Sequence, residues 1–379
     1  MRELGGPFAL GAVAVAVVVS LAVGTASGPR NTIGGQVGEL AGTLANDSAP
    51  DVFRVYLDPA GSDANDGRSP SSAVQSLAQI QRLVAAARPS SDVEVRIKQG
   101  TYVASPLEWT TFVPGRSITF LPIDYEYGEG VTGFAGRPIF RGNGSAGFWF
   151  RATLPEGSRG GDTRLRFYYL QVERYSSGGI MFDGGTVEGA GLTRARTAGM
   201  NANTVYGMNF RLLGSRHVSS GVGFGAVDLV NARNNVIQLN QFTQIENRLS
   251  SGEAELVHGV YLAHHSSGNK IRDNRFRAIS GDPIRTRNSS GDNQIFRNVF
   301  IRSGYKAFFS DWFISAAKSR QTRECESRGN RFYANRLISG YRKRVEAWSA
   351  SPHGGDHSST AECGNDTQER VLTWGNTTR

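Results

Sequence analysis

Four stretches of the chain set apolar and polar residues in one recurring order. They are Asn235-Val-Ile237-Gln-Leu-Asn240-Gln-Phe242, Asn269-Lys-Ile271-Arg-Asp-Asn274-Arg-Phe276, Asn293-Gln-Ile295-Phe-Arg-Asn298-Val-Phe300 and Asn330-Arg-Phe332-Tyr-Ala-Asn335-Arg-Leu337. Each reads Asn-x-apolar-x-x-Asn-x-apolar, a strand-like alternation broken by turn residues. The second asparagines lie 34, 24 and 37 residues apart, so with 24 as the bare unit the longer intervals hold inserts of 10 and 13. A unit of that length cannot bury its apolar face alone. Repeats of it predict the stacked coils of a parallel β-solenoid, with the apolar positions in a continuous core. The asparagines are expected to stack at the turns, where they tolerate left-handed backbone and bond coil to coil.

Counting from the asparagines aligns what lies between them. One column reads His258, Asp282, Lys306, Lys343. The strands that follow supply Gly259 to Ala263, Pro283 to Arg287 and Ala307 to Asp311. With Val260, Ile284 and Phe308 inside, alternation sends Tyr261, Arg285 and Phe309, and then Ala263, Arg287 and Asp311, to the outer face. Coils spaced about 4.8 Å apart then pair Arg287 with Asp311. The inserts fall in Thr243 to Val257 and Trp312 to Gly329, at opposite ends of this strand column, where they are expected to wall a groove for an extended polymer.

Composition narrows the class further. The 379 residues are 39% apolar and 20% charged, with 47 glycines against 13 prolines, which argues against wholesale disorder and against a helical bundle. The formal charge of +9 rests on 5 lysines and 37 arginines and permits an acidic partner. A 17-residue uncharged run, Pro7 to Val23, precedes Gly24-Thr25-Ala26-Ser27. Residues 1–27 therefore read as an export signal, or as an uncleaved anchor that falls short of the roughly 20 residues of a spanning helix. Residues 28–50 read as a flexible linker, 51–345 as the solenoid and 346–379 as a tail that caps its open end. In an oxidising compartment Cys325 and Cys363 would staple that tail to the body.

The chain resembles the right-handed parallel β-helix proteins of the pectate-lyase-like superfamily. The likeness rests on the asparagine repeats and on Tyr56-Leu-Asp-Pro-Ala-Gly61-Ser-Asp63-Ala-Asn65-Asp66-Gly67, leading through Ser76-Leu77 to Val95-Arg-Ile97-Lys-Gln-Gly100-Thr101-Tyr102. The resemblance implies an all-β, right-handed parallel β-helix whose first strand and turn precede a short capping helix, Val74 to Ala87. It also implies a choice among lyases, hydrolases, epimerases and non-catalytic adhesins, which this scaffold all hosts.

Among these, β-elimination on a uronic-acid glycan needs a cation beside the carboxylate and a base for the C5 proton. Arg285 and Arg287 suit the first role by bidentate contact. His258, Tyr261 or Lys306 suit the second, with His265, of outward parity, as a further candidate and His264 as a packed turn residue. Asp282, Asp311 and Lys343 complete the substrate-binding set. Calcium is the usual companion of such lyases, and Asp63, Asn65 and Asp66 are its candidate ligands. Hydrolysis, the rival, wants two carboxyl groups, and Asp228, Glu253, Glu255, Asp282 and Asp311 are available. The chain carries neither the Gly-His-Gly element of the polygalacturonase-type hydrolases nor the Asp-Pro-His of the alginate epimerases. The expectation is a secreted, monomeric, carbohydrate-active protein: first a lyase on an acidic polysaccharide, second a hydrolase, third a non-catalytic glycan binder. Nucleic acid is not an expected partner.

Overall fold

The computed structural model describes residues 52–127, 136–188, 192–314, 322–353, 363 and 368–378. The expected export signal and linker lie outside them. Among the described residues no helix is long and apolar enough to cross a membrane.

The unit Ala49–Arg379 is a right-handed parallel β-helix. Three parallel sheets of ten, nine and eight strands run along it, counted over the described residues. Each coil visits them in turn. Lys270–Arg272, Arg275–Ile279 and Ile284–Arg287 make one coil, and Gln294–Phe296, Val299–Ser303 and Ala307–Ile314 make the next. Apolar files run along the inside. Phe210, Phe242, Phe276 and Phe300 stack with centroids 5.3, 4.6 and 4.9 Å apart, and Ile237, Ile271, Ile295 and Phe332 form a second fully buried file.

The asparagines hold the corners. Asn274 Oδ1 accepts from the Asn240 backbone N–H at 2.9 Å and from Asn240 Nδ2 at 3.0 Å, and Asn298 Oδ1 receives the same pair from Asn274 at 3.0 Å each. A parallel ladder runs Asn203, Asn235, Asn269, Asn293, Asn330. The left-handed backbone is adopted one position earlier than expected. Leu239, Asp273, Arg297 and Ala334, each preceding a ladder asparagine, have φ of 58°, 60°, 55° and 53°. Left-handed backbone at a non-glycine residue costs about 1 kcal/mol. The ladder offsets it because the bend aims the next side chain inward, onto the neighbouring coil's amide.

Both ends are closed. The helix Leu77–Ala87 buries Leu77, Ile80 and Val84 over the first coil. It starts at Leu77, three residues later than expected, because Ser76 Oγ caps it and accepts from the Gln79 N–H, while Val74 bridges to Leu57. The tail caps the other end by supplying one more rung. Glu346–His353, Val371–Trp374 and Thr377–Thr378 each add a strand to a different sheet, and Asn376 continues the second ladder beneath Asn335. The Cys325–Cys363 disulfide joins the tail to the body.

Candidate functional site

Strand alternation sets rows of side chains, one residue per coil in each, on the outer face of the third sheet. Register fixes one such row as Glu108, Arg151, Met181, Asp228, Tyr261, Arg285, Ser310 and Ser349. A cleft of about 600 Å³ opens over its first half, lined by Glu108, Arg151, Met181, Asp228 and Tyr261, with Phe224 and His264 at the sides.

Asp228 is the chemical anomaly in this row. It is 3% exposed, and its Oδ1 is buried with no hydrogen-bond partner. Burial pushes its carboxyl well above the usual carboxylate range. Gly225 makes room for it, since a Cβ there would stand 1.9 Å from Asp228 Oδ1. One coil further along the axis sits Tyr261. Burial raises its phenol, while the Arg287 guanidinium, 3.4 Å from the hydroxyl, pulls it back. Arg151 pairs with Asp183 at 2.6 Å, and Glu108 accepts from Thr153 at 2.9 Å.

Behind Tyr261 lies the expected column, in contact over three coils. His258 Nδ1 lies 2.7 Å from the Asp282 carbonyl oxygen. A carbonyl can only accept, so Nδ1 carries the proton and Nε2 the lone pair. Burial, then Arg285, pushes this imidazole down to about 3, so it is neutral at pH 7. Asp282 Oδ1 accepts from the backbone N–H groups of Tyr305, Lys306 and Ala307 at 3.0, 2.8 and 3.0 Å, and Oδ2 from Arg285 at 2.9 Å. Burial disfavours the Asp282 charge, but Arg285 and those amides outweigh it and hold the carboxyl below its ordinary range. Arg285 also donates to Ser310 at 3.0 Å and is almost fully buried.

Four expectations need correction. Phe309, not Phe308, sits opposite Ile284, because the turn gripped by Asp282 holds one residue more than the 24-residue count allows. The slip turns Asp311 into the interior, where it accepts from Thr286 Oγ1 at 2.8 Å and from the Ser327 N–H at 3.1 Å. It also puts Trp312 outside, under Arg287. Arg287 therefore pairs with Glu324, at 2.6 to 2.9 Å, and not with Asp311. Lys343 leaves the column because Ala307 faces Glu346; it lines a second cleft with Lys306. The two turn histidines exchange places: His264 lines the first cleft, while the Nε2 of His265 is buried without a partner. Both have left-handed φ, 53° and 66°, so strand alternation has already lapsed there.

The calcium reading does not fit Asp63, Asn65 and Asp66. Asp63 accepts from the Gln75 and Ser76 N–H groups and from Ser76 Oγ. Asn65 donates to the Ala73 carbonyl, and Asp66 accepts from the Arg68 N–H. These bonds close the turn ahead of the helix. Among the described residues no group of three or more His, Cys, Asp or Glu side chains is placed to hold a metal ion.

Glu108, Arg151 and Met181 escaped the sequence reading because their coils lack the paired asparagines. Asp228 was weighed only as one carboxyl among several. The pattern Gly225-Ala-Val-Asp228-Leu-Val beside His258-Gly-Val-Tyr261-Leu-Ala carries the missing signal, once 33 rather than 34 residues are counted between them.

A parallel β-helix with a cleft across the outer face of its third sheet is thus the class that fold and site define. Among solved structures the chain is similar to a rhamnogalacturonan lyase, with a TM-score of 0.52 at 16% identity over 76% of this chain and 68% of that one. An alginate lyase from Paenibacillus sp. str. FPU-7 gives 0.46 at 13% identity, over 79% and 92%. A pectate lyase gives 0.42 at 12% identity, over 86% and 78%. The likeness is one of architecture. No family model matches the chain, and no curated protein does.

Proposed function

We propose that the protein is a carbohydrate-active enzyme, a polysaccharide lyase that opens a uronic-acid glycan by β-elimination in the cleft over Asp228 and Tyr261. The observation that carries the reading is the buried carboxyl of Asp228 in that cleft, its Oδ1 without a hydrogen-bond partner and its hold on the proton raised by burial. A neutral acid can donate a hydrogen bond to a substrate carboxylate, and the bond strengthens as charge moves onto that group when the C5 proton leaves. No cation is needed for this, which matters because Arg285 and Arg287 are already held by Asp282 and Glu324.

In its phenolate form, which the Arg287 guanidinium beside its oxygen favours, Tyr261, one coil away, takes the C5 proton and returns it to the departing glycosidic oxygen, so that the phenolate is regenerated. His258 backs this site as a neutral imidazole whose free lone pair is on Nε2. The disulfide suits work outside the reducing cytoplasm.

The hydrolase alternative would use Asp228 as general acid, but Glu108, the other carboxyl lining the cleft, stands three coils away, about 14 Å at roughly 4.8 Å per coil, beyond the roughly 6.5–9.5 Å that such a pair spans. The test is a panel of uronic-acid polysaccharides with the wild type and Asp228→Asn. Elimination predicts an unsaturated, ultraviolet-absorbing product and a loss of at least about 100-fold in kcat/KM in the variant. The variant should also melt higher at pH 7, because it no longer has to take up a proton on folding. New reducing ends without the absorbance point to hydrolysis. No cleavage of any polymer by the wild type refutes the enzymatic reading and leaves glycan binding.

A further inference from the structure

The second cleft, about 1220 Å³, lies at the corner between the second and third sheets, where Ile338 to Glu346 turn past Lys306. Lys306, Arg342, Lys343 and Arg344 line it and are all exposed. Among the described residues none of the four side chains has an acidic partner, and Glu346 is the one carboxylate on the rim. The charge continues around the corner onto the outer face of the second sheet, where Arg275 and Arg336 stand two coils apart in one row, exposed and, among the described residues, without an acidic partner.

Both turns are rigidly held. Asp282 grips the backbone at Lys306 with three hydrogen bonds. Tyr341 donates its backbone N–H to the Gly304 carbonyl, and its hydroxyl is fixed by Arg216 and Glu246. Four like charges kept together on a stiff frame repel one another unless an anion joins them. The separation from Asp228 is also informative, because three coils along the axis divide Asp228 from the Ser310 rung of the same strand as Lys306. At about 4.8 Å per coil that amounts to several sugar units.

We infer that this cleft is a distal docking site for an anionic polysaccharide, holding carboxylate or sulfate groups of the polymer several residues from the point of cleavage. The inference rests on the proposed action on an acidic glycan, but the binding is separable from the chemistry. Charge complementarity of this kind gives affinity that falls steeply with salt.

The test measures binding to immobilised polygalacturonate, dextran sulfate, neutral dextran and duplex DNA at 50 and 300 mM NaCl. Wild type and Asp228→Asn should both bind the two anionic polysaccharides and lose about tenfold or more in affinity at the higher salt. Replacing Lys306, Arg342, Lys343 and Arg344 together by Ala should cost at least about tenfold at 50 mM and flatten the salt dependence. Exchanging Lys for Arg and Arg for Lys at these positions should restore both. Lys343→Glu alone gives the same direction should the quadruple variant fail to fold. Loss of binding in the quadruple variant, even if no polymer is cleaved, upholds the site independently of the enzymatic reading. Equal retention of the quadruple variant and the wild type, equal binding to neutral dextran, or tighter binding to DNA than to polygalacturonate overturns the inference.

Discussion

Replacing Asn274 by Ala removes the side chain at the middle of the second ladder. It deletes two accepted bonds, from the Asn240 N–H and Asn240 Nδ2, and two donated ones, to the Ile237 carbonyl and Asn298 Oδ1, all between 2.9 and 3.0 Å. The site is 1% exposed, so water does not substitute. Asn298 Oδ1 keeps the Asn274 N–H, and Asn240 Nδ2 keeps the Val205 carbonyl. The Asn240 N–H and one amide hydrogen are left bare. At about 1 to 3 kcal/mol for each of these two orphaned buried groups, the loss is about 2 to 6 kcal/mol. Asn376→Ala, on the last rung, removes a similar set where water has access and should cost about 1 kcal/mol. Asn274→Asp retains the acceptors but loses a donor and sets its oxygen against Asn298 Oδ1. Its folded carboxyl is therefore raised, and its penalty should deepen as pH rises above about 4. Urea titration followed by far-ultraviolet circular dichroism measures all three. If the midpoint for Asn274→Ala falls no further than that for Asn376→Ala, the ladder is not what binds coil to coil.

Three other outcomes follow from the same geometry. Burial raises the Asp311 carboxyl from 3.8 to about 6 despite its bonds to Ser327 and Thr286. The folded state thus binds that proton more tightly than the unfolded one, and Asp311 should remove about 3 kcal/mol of stability as pH climbs from 4 to 6; Asp311→Asn should abolish that part of the slope in melting curves between pH 4 and 8. Gly225→Ala drives a methyl group into Asp228 Oδ1 and should destabilise by about 1 to 3 kcal/mol. In an Asp228→Ala background the penalty should largely vanish, and a cycle of the four melting points showing full additivity would contradict the cradle. Reducing the Cys325–Cys363 disulfide should loosen the last rung and cost about 2 to 4 kcal/mol, read as a lower melting temperature and faster amide exchange at Asn376 than at Asn298.

The coil architecture was legible wherever a buried polar group had to recur at fixed spacing, as it does from Asn235 to Asn335. It faded where other residues fill the corner. Met208 stands above Asn240 in place of an asparagine, and on the last rung Val371 and Thr373 take the first asparagine and apolar positions, which hides Asn376 from the repeat. Register within the third sheet followed the count as far as Arg287. It failed at Phe308 because a turn fastened by Asp282 can absorb a residue without leaving a trace in composition. The weight of Asp228 was not visible at all. It depends on a missing side chain at Gly225 and a missing hydrogen-bond partner, and neither is a property of the residue itself. Conversely, the arginines that looked free in the sequence are committed to carboxylates that approach from Asp282 and from Glu324, the latter in the insert.

The bends before the ladder asparagines have a consequence for how such a chain can change length. Because one edge of each turn from Asn240 to Asn335 is pinned by the same pair of amides, the path between pins is free to lengthen elsewhere, as steps of 34, 24 and 37 residues between successive pins already demonstrate. New segments can therefore be spliced in at the unpinned bends, leaving the pitch of the whole rod, and the spacing of whatever groups it displays, unaltered.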